Sequence, residues 1–122
     1  EYENEIRKSS ATYISLQKLR KQGITKSVKT FLSEVENKNL DGFWLHIDVD
    51  VLNDDIMPCV DSRTPDGLTY DEFNELTSYL FESKKLSGLE ITILDPDLDE
   101  TGQYTKEFVN NITATFNKHF KS

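Results

Sequence analysis

The feature that most constrains this chain is a short apolar run that ends in two aspartates. Residues 43–49 read FWLHIDV, which is rich in aromatic and β-branched side chains and contains no glycine or proline. Runs of this kind are typical of strands that are covered on both faces in a parallel sheet. It is far too short to cross a bilayer. We therefore expect a strand over Phe43–Val49 inside an α/β domain.

A helix and a second strand are predicted after this run. Thr69–Glu72 has the pattern of a capping box, in which the first and fourth residues satisfy each other's backbone N–H groups at the start of a helix. Phe73, Leu76 and Leu80 then recur at helical spacing and predict its buried stripe. Leu89–Leu94 alternates between apolar and polar residues and stops before a proline, which favours a second strand of the same sheet.

The remaining segments are predicted to be mostly helical. Ala11–Ile14 is expected to form a short strand, and Ser15 is expected to cap a helical turn that ends at Gly23. A longer helix is indicated by apolar residues on one face: Ile24, Val28, Phe31, Leu32 and Val35. A final helix is indicated in the same way by Phe108, Val109, Ile112, Phe116 and Phe120. The alternation of helix and strand is typical of βαβ units with a parallel sheet.

Charge and cysteine content narrow the classes of partner. The 122 residues contain 14 basic and 22 acidic side chains, for a formal net charge of −8. Such an excess of negative charge argues against nucleic acid or an anionic membrane as partner and favours cations. A single cysteine, Cys59, excludes an intramolecular disulfide, and no signal segment is visible, so we expect a cytoplasmic protein. Because the chain starts at Glu1, we also expect it to be a fragment.

Asp48 and Asp50 are the candidate metal ligands. Strand alternation would place both side chains on one face, with roughly 6 to 7 Å of backbone rise between them. Two carboxylates this close repel each other unless a cation lies between them, and Mg²⁺ or Mn²⁺ prefers such oxygen ligands. The alternative is a solvated loop entry. The long segment Leu52–Leu68, which follows, favours a functional site because long loops in compact domains are often functional.

The two histidines and the cysteine are weaker candidates. His46 shares a strand face with the aspartates and could be a ligand or an acid–base group, but we favour a core histidine that is satisfied by a backbone carbonyl. Cys59 and His119 have no partners at the spacing of a zinc site, so we expect inert packing or placement in a loop for both.

Several motifs occur together in a familiar order. They are Leu45–Leu52 (LHIDVDVL), Met57-Pro58, Thr64–Thr69 (TPDGLT), Ser87–Leu89 (SGL) and Asp95-Pro96. This ordered set resembles the C-terminal half of the arginase/agmatinase/formimidoylglutamase family, the ureohydrolases. The resemblance extends from about residue 11 onward.

The resemblance implies a fold, a cofactor and a reaction. The fold would be a three-layer α/β/α domain around a mostly parallel sheet, with residues 1–122 forming the C-terminal part of one arginase-like domain whose N-terminal half is missing. Two Mn²⁺ ions would activate water for hydrolysis of a C–N bond in a guanidino or amidino compound. Asp48 would match the aspartate that bridges both ions, and Asp50 the one that binds a single ion. The other four ligands would lie in the missing half, so the fragment alone should not catalyse.

The substrate and partners stay open at this point. Ile93 falls where the family has the glutamate that pairs with the substrate's guanidinium group. We expect a small-molecule substrate and a homo-oligomer, with neither nucleic acid nor membrane as partner. Two alternatives remain: a non-catalytic module that keeps the arginase-like fold, and a zinc hydrolase similar to histone deacetylases, which would need a third ligand.

Overall fold

A computed structural model describes residues 2–120 of the chain. Two 3₁₀ turns, Val49–Val51 and Pro96–Leu98, follow the two strands. The helices and strands are α1 (Tyr2–Lys8), α2 (Leu16–Gln22), α3 (Ile24–Asn37), β1 (Phe43–Asp48), α4 (Tyr70–Glu82), β2 (Leu86–Thr92) and α5 (Gln103–Phe120). The alternation of helix and strand from α3 onward confirms the predicted α/β class.

The two strands pair side by side and run parallel, as the sequence predicts. In this register Leu45 lies beside Leu89, and Asp48 lies beside Thr92. The connection between the strands contains α4, as parallel neighbours require. Both strands therefore end at the same edge of the sheet.

Both strand boundaries differ from the sequence prediction. β1 ends at Asp48 because the next residues form a 3₁₀ turn. β2 begins at Leu86 and ends at Thr92, two residues before the predicted end at Leu94. The early end has a local cause, since Ile93 has a φ of 80°, a left-handed conformation that is rare for β-branched residues and incompatible with a continuing strand.

Only one face of the sheet is covered by the described residues, so the expectation of a strand buried on both faces is wrong for this chain. Leu45 and Ile47 of β1 point into the apolar core, together with side chains of the helices. On the opposite face Trp44 is 64% exposed. Its ring lies across Gly88 of β2, where any Cβ would come within 2.1 Å of the indole. No helix of residues 2–120 covers this second face.

The N-terminal segment contains one confirmed and one wrong prediction. Ser15 caps α2 by accepting the N–H of Lys18 at 3.2 Å. Residues 11–14 form no strand, because no neighbouring strand within the described chain pairs with them. Helix α1 was not predicted, and all its side chains are exposed. It carries an Arg7–Glu3 ion pair at 2.6 Å, at the i, i+4 spacing that supports a surface helix.

The buried stripes of the long helices are close to those predicted. Phe31 and Val109 are exceptions, at 42% and 45% exposed. The ring of Phe31 lies edge-on to that of Phe43, with 5.2 Å between the ring centroids. The side chain of Phe120 lies outside the described part of the structure. Stripe residues that are buried as predicted are Ile24, Val28, Val35, Phe73, Leu80, Phe108 and Ile112. Within residues 2–120, no helix is both long enough and apolar enough to traverse a bilayer.

The long segment Leu52–Leu68 is part of the core. Leu52, Met57 and Cys59 are fully buried and belong to the larger apolar cluster with Phe73 and Phe81 of α4. Its two ends are joined, because Leu68 N–H donates to the carbonyl of Val51 at 2.8 Å and Asn53 N–H donates to Leu68 at 2.9 Å. This segment is therefore packed against the core and is not a free surface loop.

Arg20 ties the start of α4 to α2. Its guanidinium donates to both carboxylate oxygens of Glu72, at 2.7 and 2.8 Å, and to the carbonyls of Asp66 and Gly67, at 3.2 and 3.0 Å. Glu72 also completes the predicted capping box with Thr69, through two hydrogen bonds of 3.1 Å. The Arg20 hydrogen bond lowers the pKa of Glu72 to about 2.

This ion pair predicts an acid-sensitive contribution to stability. Because the folded pKa of Glu72 lies below its ordinary value of 4.5, the contribution is full above that value and is lost as the pH falls towards about 2. The matched variant is Glu72→Gln, which keeps the capping acceptor but not the charge. We expect the wild-type chain to exceed this variant in free energy of unfolding near neutral pH, with the gap narrowing below about pH 4.5 in urea titrations. If the difference in free energy of unfolding between wild type and Glu72→Gln did not change with pH, the ion pair of Glu72 with Arg20 would not be its source.

The packing of α4 against α5 predicts a large cost for one truncation. Phe81 is 1% exposed and stacks edge-to-face on Phe116 at 5.3 Å. Phe81→Ala should lower the free energy of unfolding by about 3–5 kcal/mol, the usual loss for a buried phenylalanine. Phe31→Ala makes the same chemical change at a 42% exposed position and should cost clearly less. If chemical denaturation gave the same loss of free energy of unfolding for Phe81→Ala and Phe31→Ala, the contact between α4 and α5 would not control stability.

Candidate metal centre

Asp48 and Asp50 both lie at the carboxyl edge of the sheet, but on different kinds of backbone. Asp48 is the last residue of β1, and Asp50 lies in the 3₁₀ turn that follows. The argument that strand alternation brings the two side chains to one face is therefore wrong, because the strand ends before Asp50. The turn is anchored by Val49, whose side chain is fully buried between them.

Asp48 is held by the neighbouring strand and by its own. Its Oδ1 atom accepts a hydrogen bond from the hydroxyl of Thr92 and lies 2.8 Å from Nε2 of His46. These two contacts, Thr92 first, hold the pKa of Asp48 below its usual value. The carboxylate therefore stays ionised and keeps its full charge for a cation.

Asp50 interacts electrostatically with Asp48. Its side chain is half-buried. Burial raises the pKa of Asp50, and the negative charge of Asp48 raises it further. A carboxylate that is destabilised by burial and by a like charge is stabilised by a nearby cation, and oxygen ligands of this type suit hard divalent ions.

His46 is exposed, so the preferred prediction of a core histidine bonded to a carbonyl is wrong. Its two ring nitrogens face carboxylates instead, with Nε2 at 2.8 Å from Asp48 and Nδ1 at 3.3 Å from Glu90. The hydrogen bond to Asp48 and then that to Glu90 raise the pKa of His46. The prediction failed because it assumed a covered face, whereas this face of β1 is open.

Glu90 and Thr92 are site residues that the sequence analysis missed. The strand register places Glu90 beside His46 and Thr92 beside Asp48, so that four polar side chains form one cluster on the open face. Their alternation along β2 was visible in the sequence. The sequence did not show which residues of β1 would lie beside Glu90 and Thr92, because the register of two parallel strands is set by the whole crossover between them.

Ile93 follows directly after Thr92 at this edge. It is 46% exposed and has the left-handed backbone described above. An isoleucine side chain offers no charge to a cationic group. The position that the resemblance gives to a guanidinium-binding glutamate thus carries an apolar residue at the end of β2.

The two aspartates fit a metal ion as part of a ligand set. Within residues 2–120, no three side chains of the histidine, cysteine, aspartate and glutamate types converge in a way that could hold a metal. A hard divalent cation takes about six ligands, so Asp48 and Asp50 would need further metal ligands beside them. The third ligand that a zinc hydrolase similar to histone deacetylases requires is likewise not found in this part of the chain.

Cys59 packs in the apolar core, and His119 makes a hydrogen bond to α4. Cys59 is fully buried and its thiol donates to the carbonyl of Leu98 at 3.5 Å. Nε2 of His119 lies 2.8 Å from the hydroxyl of Ser78. Neither side chain belongs to the cluster around Asp48.

A large groove of the described chain lies away from this cluster. It has a volume of about 690 Å³ and runs along α3, where Phe31 and Leu40 contribute apolar surface. None of its lining residues belongs to the carboxyl edge of the sheet. The acidic edge is the better candidate for a metal centre because it carries carboxylates, whereas this groove has a mainly apolar lining with few charged groups.

The sequence of the chain is similar to those of known arginase-family proteins. A sequence model of the arginase family matches residues 1–117. The chain is 30% identical over 98 residues to a formimidoylglutamase of Bacillus subtilis, covering 80% of this chain and 30% of that protein. It is 29% identical over 102 residues to arginase-1 of Homo sapiens, covering 84% of this chain and 32% of the relative.

The fold is also shared with a solved structure. The crystal structure of formimidoylglutamase from Bacillus subtilis superposes with a TM-score of 0.83 at 25% identity, covering 94% of this chain and 36% of that one. The chain spans about a third of the length of the curated relatives that it matches. The family match over nearly all of its residues confirms the resemblance seen in the sequence, and the chain belongs to the arginase family.

Proposed function

We propose that this chain is the C-terminal part of a manganese-dependent hydrolase that cleaves a C–N bond of a guanidino or amidino compound. Asp48 and Asp50 would be its contribution to a site for two Mn²⁺ ions. Relatives named formimidoylglutamase and arginase support this class of reaction.

The observation that carries the proposal is the placement of two carboxylates, those of Asp48 and Asp50, at the carboxyl edge of a parallel sheet. Ligands of open α/β sheets bind at this edge. Asp48 ends β1 and Asp50 lies two residues on in the turn that follows, and the negative charge of Asp48 adds to the effect of burial in raising the pKa of Asp50. A cation bound at this edge would relieve the repulsion between the two charges.

The residues of the chain have separate roles in the proposed reaction. Asp48 and Asp50 would supply negatively charged oxygens, with Thr92 and His46 holding Asp48 in place. Two Mn²⁺ ions held there would lower the pKa of bound water and so supply a hydroxide nucleophile at neutral pH. Val49 and Leu52, both fully buried, fix the backbone on which the acidic pair stands.

The proposal includes the domain context. The two-stranded sheet has an open face that carries the 64% exposed Trp44, and its strands have unpaired outer edges within the described chain. Parallel sheets are normally covered on both faces. Both features support the interpretation of residues 1–122 as the C-terminal part of one arginase-like domain. A small-molecule substrate, a homo-oligomer and a cytoplasmic location remain predictions.

A non-catalytic module is the second candidate, and Ile93 favours it. Without a carboxylate at this position, a guanidinium or amidinium group loses the charge partner that the resemblance implies. The complete natural protein should be assayed for hydrolysis of guanidino and formimidoyl compounds with Mn²⁺ present. Turnover of either would support the hydrolase, whereas metal binding without turnover would support the module.

Removal of the acidic pair should weaken manganese binding. In the complete natural protein, we expect Asp48→Asn with Asp50→Asn to reduce the Mn²⁺ retained after dialysis, measured by elemental analysis. Hydrolysis should fall by more than the roughly 10–100-fold that loss of a supporting residue alone causes. The physical reason is that an amide is a neutral and much poorer ligand for a hard cation.

Asp55→Asn provides the matched control, because Asp55 is an exposed aspartate a few residues downstream. It replaces a carboxylate by an amide outside the site and should leave the manganese content unchanged. The proposal fails if wild type, control and double variant all retain the same amount of manganese.

A further inference from the structure

We propose that Thr92 is a positioning residue, which holds one carboxylate oxygen of Asp48 and leaves the other oxygen for the metal. This inference rests on the proposed function, because it concerns the same site. It assigns a role to a residue of β2 that is not itself a ligand.

The pairing of the two strands brings the two side chains together. Asp48 and Thr92 are direct neighbours in the parallel register, each the last residue of its strand. The hydroxyl of Thr92 donates to Oδ1 of Asp48. The contact spans 44 positions in sequence, so it exists only when the crossover through α4 has folded.

The two oxygens of Asp48 are not equivalent in the structure. Oδ1 has contacts with both Thr92 and His46, whereas no hydrogen bond reaches Oδ2 from any residue of the described chain. The terminal torsion of an aspartate is soft, so a free carboxylate rotates easily. The hydrogen bonds that Oδ1 accepts restrict this rotation. Oδ2 is then the oxygen that is free to bind a metal.

Thr92 is better suited than His46 to fix the carboxylate. His46 divides its ring nitrogens between Asp48 and Glu90, and its side chain is 49% exposed. Thr92 is half-buried within the sheet and has a β-branched side chain, which is stiff at χ1. Partners that orient metal ligands in this way typically contribute 10–100-fold to metal affinity.

The test compares Thr92→Val with Thr92→Ser in the complete natural protein. Mn²⁺ affinity is measured by titration, with free Mn²⁺ followed by electron paramagnetic resonance. Thr92→Val keeps the shape and strand preference but lacks the hydroxyl, so we expect about 10–100-fold weaker binding. Thr92→Ser retains the hydroxyl and should bind Mn²⁺ close to wild type. The melting temperature of the metal-free protein should be similar for both.

Thr25→Val is the matched control. Thr25 also donates its hydroxyl to a carboxylate, that of Glu75, at 2.7 Å, but on α3 and away from the acidic edge. Its replacement removes the same kind of hydrogen bond and should leave Mn²⁺ affinity unchanged. A loss of affinity in this control equal to that of Thr92→Val would overturn the inference, because the effect would then be general.

The remaining outcomes separate this inference from the proposed function. If Asp48→Asn loses Mn²⁺ while Thr92→Val binds it like wild type, the positioning role is wrong and the metal site stands. Equal weakening by Thr92→Ser and Thr92→Val also overturns the role of the hydroxyl. If Asp48→Asn binds Mn²⁺ like wild type, the proposed function fails and the inference fails with it.

Discussion

Parallel pairing of β1 with β2 is the interaction on which the rest of this structure depends. It requires a crossover, which α4 provides, and it brings the ends of both strands to one edge. Asp48 and Thr92 meet only because of this pairing, and Ile93 follows Thr92 at the same edge. A different register would place Asp48 beside another residue of β2 and would separate the cluster.

Burial on one face of the sheet explains the polar character of the other. Leu45 and Ile47 pack with the helices, so the alternate residues of β1 must point away from the core. On that side a tryptophan lies across Gly88, and the charged cluster lies further along towards the carboxyl edge. The open face therefore combines a large apolar side chain with titratable groups.

The acidic edge stands on a rigid base. Val49 and Leu52 are fully buried, and the segment after them is joined at both ends by backbone hydrogen bonds. Arg20 adds an ion pair with Glu72 and two bonds to backbone carbonyls at the far end of the same segment. Ligands for a metal must be held in nearly fixed positions, and a packed base of this kind meets that requirement.

The sequence by itself determined the class of fold and the start of α4, and it pointed to Asp48 and Asp50 as the candidate site. Local signals were sufficient there: the capping box of Thr69 and Glu72, the run before Asp48, and an ordered set of motifs. It did not determine the end of β1 before Asp50, the exposed state of His46 or the contact between Thr92 and Asp48. These depend on the register of two strands that are distant in sequence and on which face the helices cover. Such features are set by the packing of the whole chain, and no short segment contains that information.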